Sequence, residues 1–241
     1  MPDLIFEHPR LAQVYDALDE PERRDLALYE GLVAELGAAS VLDIGCGTGT
    51  LACRLAQRGV EVVGVDPARA SLDMAVSKPG ADRVRWVLGD AATLPALEVD
   101  LATMTGNVAQ VFITDSDWML ALRSIRAALR PGGCLAFETR DPAKQAWLSW
   151  TREQTYRRLE LGTIGTLQTW SELVRVSGEV VTFRTHFVFD RDGTRLTSES
   201  TLRFRNRNEI AESLASTGLR LDGIRDAADR PGLELVFLAC R

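Results

Sequence analysis

Histidine is nearly missing from this chain of 241 residues, which carries only His8 and His186. With so few imidazoles, no Ser/His/Asp or Cys/His triad stands out. Cysteine is also sparse. Cys46, Cys53, Cys134 and Cys240 form no CxxC pair and no other metal spacing, so no bound metal is expected and the four read as reduced core or loop thiols of a cytoplasmic protein. No run of about 18 apolar residues occurs, which excludes a membrane-spanning helix as a sequence reading. The first 30 residues are polar and acidic rather than basic then apolar, so they do not read as a secretory leader. Net positive charge is missing too: the balance is −6, which speaks against broad electrostatic attachment to nucleic acid.

What is present is a 46 % hydrophobic chain, long enough for a full core in one domain with an appended subdomain. The charge is uneven. Residues 155–205 hold eight Arg against six Asp and Glu, near +2, which leaves the remainder near −8.

The pattern along the chain predicts two N-terminal helices, one around residues 11–18 and one from Pro21 to about Leu36, with Pro21 as its first helical residue and Gly37 as its stop. Apolar runs then alternate with helical periodicity. "SVLDI" (40–44), "VEVVGV" (60–65), "RVRWVLG" (83–89), "VDLATM" (99–104) and "GCLAFET" (133–139) read as strands, with helices between them. This alternation implies right-handed crossovers and a parallel sheet. After a helical reading for "QAWLSWTRE", residues 164–205 predict three long antiparallel strands with turns at Ser177-Gly178 and Asp192-Gly193. In the middle strand Val181, Phe183, Phe187 and Phe189 share one face, and Thr182, Arg184 and His186 the other. A helix over about 207–217, with Asn206 as cap, and two further strands close the chain.

The stretch "VLDIGCGTGT" (41–50) joins the first strand to a helix. A triphosphate-binding loop needs Lys and Ser/Thr after its last glycine, and "GTGTLA" has no Lys. A dinucleotide site fits Gly45, Gly47 and the acidic Asp66 at the end of the next strand, but Thr50 stands where the third glycine or alanine belongs. Asp43, two residues before the first glycine, would disfavour a pyrophosphate and favour a cationic ligand, with the helix N-terminus free to receive a small carboxylate. S-adenosylmethionine, with an ammonium, a sulfonium and a carboxylate, has those charges.

"VLDIGCGTGT", "VVGVDPA", "VLGDAATLP" and "LRPGGCLAFET" together resemble the ordered motifs of class I S-adenosylmethionine-dependent methyltransferases, over roughly residues 38–140 plus the C-terminal helix and strand pair. The resemblance implies a Rossmann-like α/β fold with a seven-stranded sheet of order 3-2-1-4-5-7-6 whose last strand is antiparallel. It places Gly45, Cys46 and Gly47 at the methionine part, Asp43 beneath its amino group and Asp66 at the ribose hydroxyls. Asp90 and Ala91 would flank the adenine, and Thr105, Gly106 and Asn107 would line the methionyl side. The antiparallel insertion resembles a subgroup that includes nucleotide-amino-sugar N-methyltransferases, and there Tyr15 matches a tyrosine that reaches the cofactor carboxylate. Tyr15 is equally readable as an ordinary half-buried helix aromatic. The implied organisation is N-terminal helices over 1–37, a methyltransferase domain over 38–142 and 206–241, and a lid or homodimer-forming insertion over 143–205.

Transfer from a sulfonium is an in-line displacement with an activated donor, so positioning carries most of the chemistry and no catalytic residue is named. Arg140, beside Glu138 and Asp141 after the fifth strand, is the best candidate to hold an anionic acceptor. His186 and Arg203 are further acceptor-side candidates, each with a plain surface role as the alternative. "TGNV" replaces the Asn-Pro-Pro-Tyr/Phe signature of nucleic-acid base enzymes, which favours a small-molecule acceptor. A methyltransferase, a nicotinamide oxidoreductase and a non-catalytic S-adenosylmethionine-binding protein are the readings carried forward.

Overall fold

In the computed structural model, residues 2–18, 23–227 and 229–241 are described. Short apolar runs, covered on both faces, become β1 (Ser40–Ile44), β2 (Glu61–Asp66), β3 (Val84–Leu88), β4 (Val99–Met104) and β5 (Leu129–Arg140). The chain then leaves this sheet for β6 (Arg157–Glu160), β7 (Thr166–Ser177), β8 (Val180–Phe189) and β9 (Arg195–Arg203), and returns with β10 (Arg220–Asp226) and β11 (Glu234–Cys240). The main sheet has the order β10-β11-β5-β4-β1-β2-β3. β11 lies antiparallel between β5 and β10. This is the strand order the motifs imply.

The helices are α1 (Leu4–Glu7), α2 (Pro9–Tyr15), α3 (Arg24–Leu36), α4 (Thr50–Gln57), α5 (Arg69–Ala75), α6 (Asp115–Ala128), α7 (Arg152–Thr155) and α8 (Arg207–Ser216). One side of the main sheet buries Trp118, Ile125, Phe137, Leu214 and Phe237, and the other buries Leu26, Tyr29, Leu55 and Val62. Each such side chain contributes about 1.5–3 kcal/mol when fully buried. α8 begins with the capping box its sequence encodes: Asn206 accepts from the Glu209 backbone N–H, and Glu209 accepts from that of Asn206. No helix among the described residues is long and apolar enough to cross a membrane.

Four expectations need correction. The insertion is a four-stranded sheet of order β6-β7-β8-β9, not a three-stranded one. β6 hides in sequence because Arg157, Arg158 and Glu160 surround its single apolar residue, Leu159, as suits a short charged edge. The helix expected around 11–18 is α2 followed by a 3-10 turn at Asp16–Leu18. The following helix is described from Arg24, and Pro21 lies outside the described residues. "QAWLSWTRE" gives a 3-10 turn and the four-residue α7. Here Trp147 packs edge-on against Phe204 at 4.6 Å and Trp150 against Phe183 at 4.5 Å, and tertiary contact overrides helical periodicity.

The fourth correction concerns thiols. The antiparallel register sets Cys134 opposite Cys240, and a disulfide joins them at a Cα–Cα distance of 4.0 Å. Their separation of 106 residues conceals the pairing in sequence. Cys46 and Cys53 are free and buried.

The second sheet buries its apolar side chains on one face. Phe187, Phe189 and Leu167 bury against Leu11 and Val14 of α2, while Val181 packs with Trp147 and Phe204. At its end, Arg203 and Arg205 donate to the carbonyls of Ile113 and Thr114, in the segment that follows β4. The sheet is thus fastened beside the carboxyl ends of the parallel strands.

Candidate active site

The turn after β1 needs its glycines for different reasons. Gly45, Gly47 and Gly49 all have left-handed backbones, with φ of +66°, +54° and +75°, a conformation that glycine adopts without penalty. A Cβ at Gly45 would lie 2.5 Å from the Val108 side chain, and one at Gly49 2.5 Å from Trp86. At Gly47 nothing lies within 4 Å, so this peptide borders open space.

Two carboxylates support the turn. Asp66, at the end of β2, accepts the Gly47 N–H at 2.7 Å and the Ala68 N–H at 2.8 Å. Its burial raises its pKa, and these two N–H bonds oppose the rise. Asp43 is 1 % exposed. One of its oxygens accepts from Thr103 Oγ1 at 2.8 Å, and Oδ2 is buried with no partner. Burial pushes Asp43 up to about 7; the Thr103 hydroxyl opposes this and the charge of Asp66 adds to it.

The segment after β4 supplies the facing wall. Gly106 and Asn107 are both left-handed, with φ of +64° and +65°. Asn107 is unusual there and costs strain unless its surroundings fix it. They do. The Gly106 N–H donates to Glu138 at 2.6 Å, and Asn107 Nδ2 donates to Glu234 at 3.2 Å. The Tyr29 hydroxyl occupies the other Glu138 oxygen at 3.1 Å. Burial, then the charge of Glu234, pushes Glu138 up to about 7. Asn107 Oδ1 is buried without a partner.

Arg140 ends β5 and points among these groups. Nη1 donates to Gln110 at 3.0 Å, and Nε lies 3.4 Å from Glu234. The guanidinium also stands 5.6 Å from the centre of the Trp150 ring. Tyr15 is half-buried at the end of α2, with its ring 5.5 Å from that of Phe6 and within electrostatic reach of Arg140. Asp16, next in the chain, accepts from Thr48 and pairs with Lys78, tying the N-terminal segment to the glycine turn.

Other sequence candidates lie at the margin. Asp90 is exposed and accepts the Ala92 N–H, and Ala91 is buried. Cys46 is buried, which pushes its thiol up. Thr105 is half-buried. Arg203 pairs with Asp115 at 2.7 Å and lines a cleft of about 360 Å³ between the start of α6 and the length of α8. His186 sits on the face of the second sheet opposite Phe187, stacked on Trp170 and bonded to Glu172 at 3.0 Å. The structure therefore gathers Asp43, Gly45, Gly47, Asp66, Gly106, Asn107 and Arg140 around the strand ends, and leaves His186 and Arg203 apart from them.

Comparison with known proteins shows what this arrangement resembles. The family described as "Methyltransferase domain" matches residues 41–133. Over those residues the chain resembles that family. The chain is 39 % identical over 111 residues to the Cypemycin N-terminal methyltransferase of a Streptomyces species, covering 45 % of each chain. It spans about half the length of the first curated relatives it matches, or less. Among solved structures it is similar to the CcbJ methyltransferase from Streptomyces caelestis, with 25 % identity, a TM-score of 0.75 and 95 % of each chain covered. It also shares its fold with SAM-bound CalS10, an amino pentose methyltransferase from Micromonospora echinaspora, at 22 % identity and a TM-score of 0.74 over 95 % of each chain. The nicotinamide reading gains no support from these matches.

Several residues of this strand-end site escaped the sequence reading. Tyr29, Gln110, Glu234 and Arg230 carry no local motif, and only long-range packing brings them here. Asp16 had a faint signal, one residue after the candidate Tyr15.

Proposed function

We propose that this chain is an S-adenosylmethionine-dependent methyltransferase acting on a small molecule, with an amino group as the preferred acceptor. The observation that carries the reading is a pair of buried acceptor atoms without partners, Asp43 Oδ2 and Asn107 Oδ1. Both adjoin the glycine turn: Asp43 is on the strand leading into it, and the residue after Asn107 abuts Gly45. Buried oxygens of this kind call for a hydrogen-bond donor, and a cation satisfies both best.

In this reading the ammonium of the cofactor meets Asp43 and Asn107, its methionine backbone passes Gly45, Cys46 and Gly47, and Tyr15 reaches its carboxylate. Asp66 accepts from the ribose, and Asp90 and Ala91 border the adenine. S-adenosylmethionine, when bound, supplies an activated methyl group. The protein's part is alignment and exclusion of water, and an amine that has already lost its proton needs no dedicated base. The N-terminal segment, latched through Asp16, and the second sheet close over the strand ends. Arg140 is the acceptor-side cation. Its contact with Glu234 is long, 3.4 Å against the 2.6 Å of Arg230 to the same oxygen, so its guanidinium can turn to an incoming carboxylate or phosphate. His186 and Arg203, held by other partners, take no part. The outer face of the second sheet, with the exposed Tyr156 and the neighbouring Trp170, is the contact for a homodimer, which sedimentation equilibrium tests.

The names of similar proteins, an N-terminal methyltransferase and an amino pentose methyltransferase, support the amine. Thermal shift with S-adenosylhomocysteine against NAD tests the cofactor, and stabilisation by NAD alone would reverse the reading. An acceptor screen of small amines with labelled cofactor tests the activity; cofactor binding with no turnover on any acceptor would favour a non-catalytic protein.

A further inference from the structure

We propose that Glu234 is a positioning residue for cofactor recognition: it fixes the side-chain amide of Asn107 so that the oxygen, not the NH₂ group, faces the glycine-turn pocket. This inference rests on the cofactor reading above.

β11 runs antiparallel to β5, and its first residue, Glu234, pairs with Arg140, the last of β5. That register puts a carboxylate from the C-terminal strand at the carboxyl ends of the parallel strands. The Glu234 side chain is 3 % exposed. Its Oε1 faces three donors: Arg230 Nη1 at 2.6 Å, Asn107 Nδ2 at 3.2 Å and Arg140 Nε at 3.4 Å.

The two ends of an amide have nearly the same shape, so its partners decide its orientation. A carboxylate oxygen that already faces two guanidinium groups can only accept. With the Asn107 amide reversed, two acceptor oxygens would meet in a buried site, and a charge-assisted hydrogen bond would be lost. The Asn107 backbone has no freedom to escape this, because the Glu138 bond to the Gly106 N–H pins the adjoining peptide. Asn107 Oδ1 is therefore left facing away from Glu234, buried and without a partner. An amide oxygen there recognises an ammonium, whereas an NH₂ group would turn its hydrogens on those of the ammonium. A residue 127 positions away thus sets the polarity of one wall of the site.

The test uses calorimetric titration of the full chain with two probes: S-adenosylhomocysteine, which carries the amino-acid tail, and 5′-methylthioadenosine, which lacks it. Glu234→Gln keeps the shape but can present an NH₂ group to Asn107, freeing the amide to turn. Affinity for S-adenosylhomocysteine is expected to fall about tenfold, and that for 5′-methylthioadenosine to stay within about twofold. Adding Asn107→Asp should bring S-adenosylhomocysteine back to within about threefold of the wild type, since both carboxylate oxygens accept whichever way the group is turned. Equal loss of both probes, unchanged S-adenosylhomocysteine affinity in Glu234→Gln, or failure of the double variant to recover would each overturn the assignment. If Glu234→Gln alone does not fold, the double variant carries the test, and weak S-adenosylhomocysteine binding by a folded double variant overturns it. A wild-type chain that binds neither probe would overturn the cofactor reading itself.

Discussion

The two sheets of this protein treat polar groups in opposite ways. In and around the second sheet several charges lie in exposed or half-exposed pairs. Arg184 meets Glu199 at 2.8 Å, His186 meets Glu172 at 3.0 Å and Arg10 reaches Asp192 at 2.7 Å. At the carboxyl ends of the main sheet, carboxylates are buried, crowded and incompletely satisfied. Asp43 and Glu138 are both pushed up to about 7, and Asp43 and Asn107 each leave an oxygen without a partner. Exposed pairs of the first kind add little stability and cost little to lose. Buried groups of the second kind cost free energy on folding, and such a cost persists where a ligand repays it. Within the arginine excess of residues 155–205, Arg158 and Arg184 are of the first kind, while Arg157, Arg191, Arg203 and Arg205 bond backbone carbonyls.

The sharpest way to break this contrast is Gly47→Val. Its left-handed φ of +54° and the open space beside it mean that a branched side chain strains the turn and fills the ligand's path. S-adenosylhomocysteine affinity should fall by more than about a hundredfold, with circular dichroism showing the fold retained. Retained affinity would remove the turn from the site.

Asp43 gives the next effect, and its sign can be worked out. Its folded-state pKa of about 7 lies above the unfolded value near 4. The ligand-free protein therefore loses stability as pH rises from about 4 through 7, because the folded state must ionise a buried group. An ammonium ligand favours the ionised form, so S-adenosylhomocysteine affinity should rise by up to about tenfold per pH unit towards pH 7 and level off above about 8. Asp43→Asn should flatten this profile and weaken binding at pH 8 by about ten- to a hundredfold. A profile in the variant as steep as in the wild type would assign the titration to Glu138.

Arg140 stands between the two regimes, half-satisfied by Glu234 and Gln110. Arg140→Lys should raise the acceptor KM about three- to tenfold through loss of the planar fork and leave cofactor affinity unchanged. Equal effects on both ligands would make Arg140 structural. His186→Ala is the smallest expected change: turnover and cofactor affinity unaltered, with stability lowered by less than about 1 kcal/mol by thermal melting. A large loss of turnover would move the outer face of the second sheet into the chemistry.

Much of the fold was legible because its signals are local. The glycine turn, the Asn206 cap, the Asp192-Gly193 hairpin and the strand–helix alternation each depend on residues within a few positions of one another. Gly45, Gly47, Asp43 and Asp66 were legible as candidates for the same reason, since one strand–turn–helix unit and its neighbour carry them all. β6 was not, because three of its four residues are charged and its strand state depends on pairing with β7. The placing of His186 was not legible, because alternation tells which residues share a face, not which face is covered. Leu11 and Val14, almost 180 positions earlier in the sequence, decide that by packing on Phe187 and Phe189.

The sequence by itself determined the strand–helix alternation, the glycine turn after the first strand and the acidic residues beside it. Short-range spacing encodes those, and backbone sterics enforce them. Only the tertiary structure decided how that site is finished. The antiparallel return of β11 delivers Glu234 to Asn107 and Cys240 to Cys134, and α3 brings Tyr29 beneath Glu138. These contacts join residues more than a hundred positions apart, so no periodicity records them. They exist because burying polar groups at the end of a sheet is tolerable only when distant strands supply their partners.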